Sequence, residues 1–433
     1  MKRLPHALVV GLIIQAMSSL VFLLLFLERA DHGFTPSWEM VTNGMDAASH
    51  ALAAAGAFQL ARSLAGRPAL GAKIAAFAQV GLLAMVAVWI SVQMWNGSSS
   101  DNWVWKLFDA LHYVDALLWL AAAVGFALVA MPLGVAIALV IVAVLGIPVP
   151  ALGHVLYGSV HSQNLAFTIE LVPYILVSIL MLAAAWSRRA QLVDIPPPAP
   201  ADALRRASGA LWLRVISAVS LAGFTFLVGM ARSPDMMGLL RAVMLLAPLL
   251  DALALLLFAR AVVALARTGL APWLLTAGAG FALAATGMMA NRIVQLYVLF
   301  YGHRESSFFD ATSRDPVLGG TVDQILPLIA ATGIALVLVA IGRLARERNA
   351  EDLRENIVIR TGVFVALVVG SQLMVHFIGG GSMSDAGVAV FLLVAIAGAT
   401  LYALTIAAKL CAQGAELVAR DPAGLPAAKV VSS

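Results

Sequence analysis

A succession of apolar runs, each about as long as a bilayer is thick and separated by short segments rich in charge, Gly, Pro and Ser, is the feature that most constrains this chain. The hydrocarbon core of a membrane accepts about 20 consecutive apolar residues as a helix. No water reaches that core, so the backbone must satisfy its own hydrogen bonds, and the α-helix does this within one segment. The pattern predicts twelve spans, over 5–27, 41–61, 74–95, 110–131, 134–156, 165–187, 208–230, 238–264, 272–300, 321–342, 358–378 and 386–409. Composition agrees: 62% of residues are hydrophobic and 12% charged, against about 25% charged in soluble domains. The expected fold class is an all-α polytopic integral membrane protein.

Lys and Arg near the ends of short loops mark the cytoplasmic side. Lys2, Arg3, Arg62, Arg67, Lys73, Arg188, Arg189, Arg205, Arg206 and the cluster Arg343, Arg346, Arg348, Arg354 and Arg360 fall on one side of the twelve-span pattern. This predicts cytoplasmic N and C termini in a bacterial-type cytoplasmic (inner) membrane. The net charge of +4 then reflects topology, and no nucleic-acid partner is expected. One cysteine, Cys411, excludes an intramolecular disulfide.

The chain also reads as a duplication. Residues 114–129 and 322–337 agree at ten of sixteen positions at a constant offset of 208, including Asp115 with Asp323 and Gly125 with Gly333. Asp46-Ala47 matches Asp251-Ala252 at an offset of 205, and His154 has a weaker echo in His376. Six spans per repeat is an even number, so the two repeats are parallel. The expected domains are 1–190, a Pro-rich cytoplasmic linker over 191–206 containing IPPPAPA, 207–412, and a short tail over 413–433. This parallel six-plus-six plan is similar to that of the major facilitator superfamily of transporters. The stretch over 56–67, read as the loop after the second span, resembles that family's glycine and arginine loop motif but lacks its aspartate and second basic residue.

Ionisable groups inside a membrane are costly, and each is a candidate for function. Asp46 and His50 stand four residues apart on one helical face. Asp109, His112 and Asp115 recur every three residues, and Glu170 lies three residues before Pro173. The expected proton or substrate pathway is Glu170, Asp46, His50, Asp115, His112 and His154, with Asp323 and His376 as second-repeat counterparts. Asp323 also fits a helix cap in Thr321-Val-Asp-Gln324. An ion pair is expected between Asp251 and Arg292. Counting from inner arginines places these groups in the outer half, between the two repeats. No metal or cofactor is expected, since no tight ligand spacing occurs; haem or a metal on His50, His112 and His154 is the alternative. Motifs for nucleotide binding or nucleophilic catalysis are absent from the sequence, so an enzyme is not expected.

The favoured function is a proton-linked secondary transporter or permease for a small molecule or ion. One alternative is an assembly or sensor subunit that binds a membrane-protein partner or another copy of the chain; another is a haem or metal redox protein. Topology is checked directly: a cysteine at Ser99 or Ser307 should react with an impermeant thiol reagent on intact cells, and one at Ala201 should not.

Overall fold

The computed structural model describes residues 4–29, 36–96, 102–146, 163–192, 199–231, 234–301, 321–379 and 386–420, with backbone alone toward several helix ends. Among these residues there are twelve α-helices and no strand. In chain order they are α1 (His6–Arg29), α2 (Pro36–Ser63), α3 (Gly66–Asn96), α4 (Asn102–Val129), α5 (Leu133–Gly146), α6 (Gln163–Ser187), α7 (Pro200–Ala231), α8 (Pro234–Ala266), α9 (Pro272–Tyr301), α10 (Thr321–Glu347), α11 (Glu351–Gly379) and α12 (Ala386–Arg420). Seven of them, α1, α3 and α8 to α12, are long and apolar enough to cross a membrane within the described residues. Shorter apolar segments run over Tyr113–Val129, Leu133–Leu145 and Leu171–Ser187. The protein is an all-helical, membrane-embedded chain.

Two compact units divide the described helices, one within Met1–Pro196 and the other formed by Pro197–Gly302 and Asp315–Ser433. In the first, each of α1 to α6 packs on its sequence neighbours, α6 returns to α1, and α4 also touches α6. In the second, α7 to α12 follow the same order: α12 returns to α7, and α10 also touches α12. Each unit is a closed ring of six helices.

Buried alanines line many helix contacts beside larger residues such as Phe126 and Leu52, and many large apolar side chains face outward, an inversion of the water-soluble pattern. Ala72, Ala75, Ala122, Ala123, Ala279 and Ala282 are fully buried, whereas Leu133, Phe77 and Val358 are 74%, 66% and 61% exposed. In lipid this inversion is expected, because tails are as apolar as leucine and helices associate through close packing of small residues. The α3–α4 and α9–α10 crossings illustrate it. A Cβ on Gly71 would lie 2.5 Å from the Gly125 carbonyl oxygen, and one on Gly125 2.7 Å from the Gly71 oxygen and from the Ala75 nitrogen. Between α9 and α10, a Cβ on Gly278 would lie 2.9 Å from the Gly333 oxygen, and one on Gly333 2.8 Å from the Gly278 oxygen and 3.2 Å from the Ala282 nitrogen.

Several sequence expectations change. Residues 56–63 continue α2, with Gly56 packed on Leu8. The stretch likened to a transporter loop motif is therefore helix, and only 64–65 separate it from α3. The expected linker over 191–206 is shortened, since α7 starts at Pro200; proline suits a first helical position, where its missing N–H has no partner to lose. Past the tenth span, α10 runs on to Glu347, and a turn with Asn349 at φ 54° separates it from α11. The helix α12 runs on to Arg420, and residues 421–433 lie outside the described residues. Of the fifth span, 134–156, the part beyond Gly146 lies outside them too.

Gly125→Ala and Gly333→Ala are each expected to lower the melting temperature of the solubilised protein, through roughly 1–3 kcal/mol of overpacking. Gly134→Ala, whose Cβ would meet nothing within 4 Å, should leave it unchanged. Thermal-shift curves on the three variants check this.

Candidate functional site

Each ring has a polar centre near the middle of its helices. In the first unit, α2 carries Asp46 and His50 on successive turns of one face. The Ser18 hydroxyl of α1 donates to Asp46 Oδ1 at 2.6 Å, and the Ser49 hydroxyl donates to the Asp46 carbonyl oxygen at 2.9 Å. His50 is 5% exposed. Its Nδ1 lies 2.8 Å from Gln79 Oε1 on α3 and 3.3 Å from Gln15 Nε2 on α1.

Two glutamines thus offer one ring nitrogen both an acceptor and a donor. With a proton on Nδ1, Gln79 accepts it; with a lone pair there, Gln15 supplies a hydrogen. Amide ends can also exchange O for N, so His50 can change tautomer while its neighbours stay in place. The remaining amide atoms, Gln15 Oε1 and Gln79 Nε2, are buried with no protein partner among the described residues. Buried polar atoms of that kind call for water or another small polar group. The His50 ring abuts Trp119 of α4 edge to face at a centroid distance of 6.0 Å, and Trp119 abuts Tyr174 of α6 at 4.8 Å. These three rings form an edge-to-face series inside the first unit.

The centre of the second unit is hollow. A cavity of about 300 Å³ is bounded by all six helices, through Arg214 of α7, Asp251 of α8, Met289 of α9, Pro327 of α10, Ser371 of α11 and Thr400 of α12. Arg214 Nε donates to Asp251 Oδ1 at 2.5 Å and Nη2 donates to Oδ2 at 2.9 Å. This forked pairing is the strongest geometry open to a guanidinium and a carboxylate. Their side chains are 12% and 18% exposed. The Ser217 hydroxyl donates to the Ala247 carbonyl oxygen at 2.7 Å, beside Pro248, which interrupts the bonding of α8. A larger hollow of about 440 Å³ lies at the α10–α11 turn against α12, lined by exposed acids including Glu351 and Asp352, and belongs to the surface.

These positions revise the site read from sequence. Both oxygens of Asp251 are taken by Arg214, which replaces the expected pairing with Arg292; Arg292 is half-buried on α9. Helix register explains the exchange. Arg214 lies 17 residues before the end of α7 and Asp251 17 residues after the start of α8, so the two stand level across an antiparallel hairpin. Arg292 lies 20 residues into α9, whereas Asp251 is 15 before the end of α8; that mismatch of five residues is about 7 Å along the axis. Asp46, His50, Arg214 and Asp251 all lie close to the midpoints of their helices.

Asp115 is half-buried near the middle of α4. Glu170 and His112 fall within α6 and α4, and Asp323 and His376 near the ends of α10 and α11, with side chains outside the described residues. His154 lies outside the described residues altogether. Among the described residues no group of three or more His, Cys, Asp or Glu is placed to hold a metal. Sequence reasoning missed Gln15, Ser18, Gln79, Trp119 and Arg214. Their signal was available: Ser18 with Asp46, and His50 with Gln79, are level across their hairpins just as Arg214 is with Asp251. Compared with known proteins, the chain matches no family profile, no curated sequence and no solved structure.

Arg214→Ala or Asp251→Ala alone should cost about 3–5 kcal/mol, since each leaves one buried charge unpaired. Arg214→Met combined with Asp251→Leu should recover much of that loss, because an apolar pair of similar volume removes both charges. Folded yield and melting temperature of the three proteins measure this. A double variant no better than the worse single one would show that the pairing is not what the fold depends on.

Proposed function

We propose that the chain is a secondary transporter for a small solute, built by duplication of a six-helix ring, and that its transport is coupled to protons. The observation that carries the reading is the cavity inside the second ring. It lies at mid-height of the helices, touches all six of them, and has an ion pair in an otherwise mostly apolar wall. Ionisable groups in that position are expensive unless they handle a charged or polar solute.

Several observations support duplication. The two rings share one neighbour order, including the extra contact between their fourth and sixth helices. The crossings of their third and fourth helices use matching residues: Gly71 and Ala75 on α3 against Gly125, and Gly278 and Ala282 on α9 against Gly333. The offsets between the members of these sets are 207 and 208, in line with the sequence match.

Proton coupling is supported by the first ring. Asp46 and His50 sit one turn apart inside it, and His50 Nδ1 has both a donor and an acceptor within reach. In this reading Asp46 and His50 exchange the proton, with Glu170 on α6 and Asp115 on α4 as candidates for its path. The second ring holds the solute. Lipid is the expected surround, since the outward faces carry large apolar side chains.

The test is accumulation. Proteoliposomes holding the purified protein, with an alkaline interior and an acidic exterior, are incubated with a mixture of small metabolites, and their contents are read by mass spectrometry. At least one solute should accumulate above protein-free vesicles. Asp46→Asn, which keeps size and hydrogen bonding but cannot titrate, should abolish the dependence on the pH gradient while leaving the melting temperature within a few degrees. Contents identical to protein-free vesicles for every solute would rule out the transport reading.

A further inference from the structure

We infer that the cavity of the second ring binds a small zwitterion with an apolar substituent, of which a free apolar amino acid is the simplest example. This names the solute class of the proposed transporter and rests on that reading for the solute's role; binding itself does not require transport.

The first argument is charge. Arg214 and Asp251 both line the cavity, so a ligand reaches both. Together they carry no net charge. An anion that captured Arg214 would leave the Asp251 carboxylate unpaired within an apolar helix, and a cation that captured Asp251 would strand the guanidinium. Either cost is large. A zwitterion avoids both: its carboxylate takes the guanidinium fork, its ammonium takes Asp251, and the number of opposite-charge contacts rises while the net charge stays zero.

The second argument is the rest of the wall. Away from the pair it is mostly apolar, with Leu255, Ala331, Phe364 and Leu404 among its residues and the hydroxyl groups of Ser371 and Thr400. Its volume of about 300 Å³ is at the small end of the range of roughly 300–1,000 Å³ for ligand pockets. That size suits one compact side chain beside a charged head.

The third argument is the contrast between the rings. The offset of 205 carries His50 to Leu255, and the offset of 208 carries Trp119 to Pro327. Leu255 and Pro327 both line the cavity. Where the first ring holds an imidazole and an indole in edge-to-face contact, the second has an apolar leucine and a much smaller proline, and Arg214 faces its aspartate. An unfilled void weakens packing and a buried ion pair is weak support for stability, so neither is explained by folding. Both occur together at one place, as a ligand site requires.

The experiment is equilibrium binding to the purified full chain, with L-alanine, L-valine, L-leucine and L-phenylalanine as probes. Three analogues of leucine accompany them: 4-methylpentanoate without the ammonium, 3-methylbutylamine without the carboxylate, and 4-methylpentanamide without either charge. At least one amino acid should bind, and the leucine analogues should bind about tenfold more weakly or worse than leucine. Asp251→Asn should lose binding to a similar degree. Because removing one charge destabilises the fold, Ala331→Phe serves as a second variant; it fills the cavity, keeps the pair, and should lose binding with the melting temperature retained. The inference is overturned if none of the amino acids binds, if a singly charged or neutral analogue matches leucine, or if Ala331→Phe binds as the parent does. The two readings separate cleanly. Amino-acid binding without accumulation of any solute sinks transport and keeps the site, whereas accumulation of other solutes without amino-acid binding does the reverse.

Discussion

Close approach of helix backbones is the contact on which the rest of this structure depends. In lipid there is little hydrophobic gain from bringing two apolar helices together, so the attraction must come from dispersion across many short contacts. Gly71 against Gly125 and Gly278 against Gly333 bring carbonyl oxygens to within van der Waals reach of the facing helix, with no room for a Cβ. Buried alanines extend the same seams along the helices. Rings held this tightly fix the level and rotation of each helix, and those two quantities decide which polar groups meet.

The polar centres follow from that geometry. A carboxylate at mid-height of a helix is tolerable only with partners at the same level. The two rings satisfy this differently: Asp46 receives a neutral hydroxyl from Ser18, and Asp251 receives a guanidinium from Arg214. The first arrangement sets a carboxylate against a hydroxyl, one helical turn from an imidazole. The second holds a fixed pair of charges beside a cavity. One neighbour order of six helices thus yields one centre with a carboxylate and an imidazole and another with a salt bridge beside a cavity, and the difference lies in a few side chains, chiefly His50 and Trp119 in one ring and Leu255, Pro327 and Arg214 in the other.

Legibility from sequence varied with the physical origin of each feature. Helix formation was readable, because long apolar runs in a membrane have few other ways to satisfy their backbone. Asp46, His50 and Asp251 were readable as candidates, because their cost in an apolar run is a property of the residue itself. Partners were harder. Arg214 stands close to the start of a seventh span over 208–230, but α7 starts at Pro200 and the arginine lies near its middle. Gln15, Ser18 and Gln79 carry no charge and stand out in no apolar pattern. Only their level relative to the next turn marks them, and that requires knowing where each helix ends.

The sequence by itself determined the all-helical class, the membrane setting and the identity of the costly polar residues, since each depends on local composition and on the energy of placing a group in hydrocarbon. Tertiary structure decided which groups meet, that the polar centres lie near the helix midpoints, and that the second ring surrounds a cavity of about 300 Å³. These depend on helix register and rotation. Both are set by the summed packing of six helices, in which a shift of a few residues along an axis exchanges one partner for another.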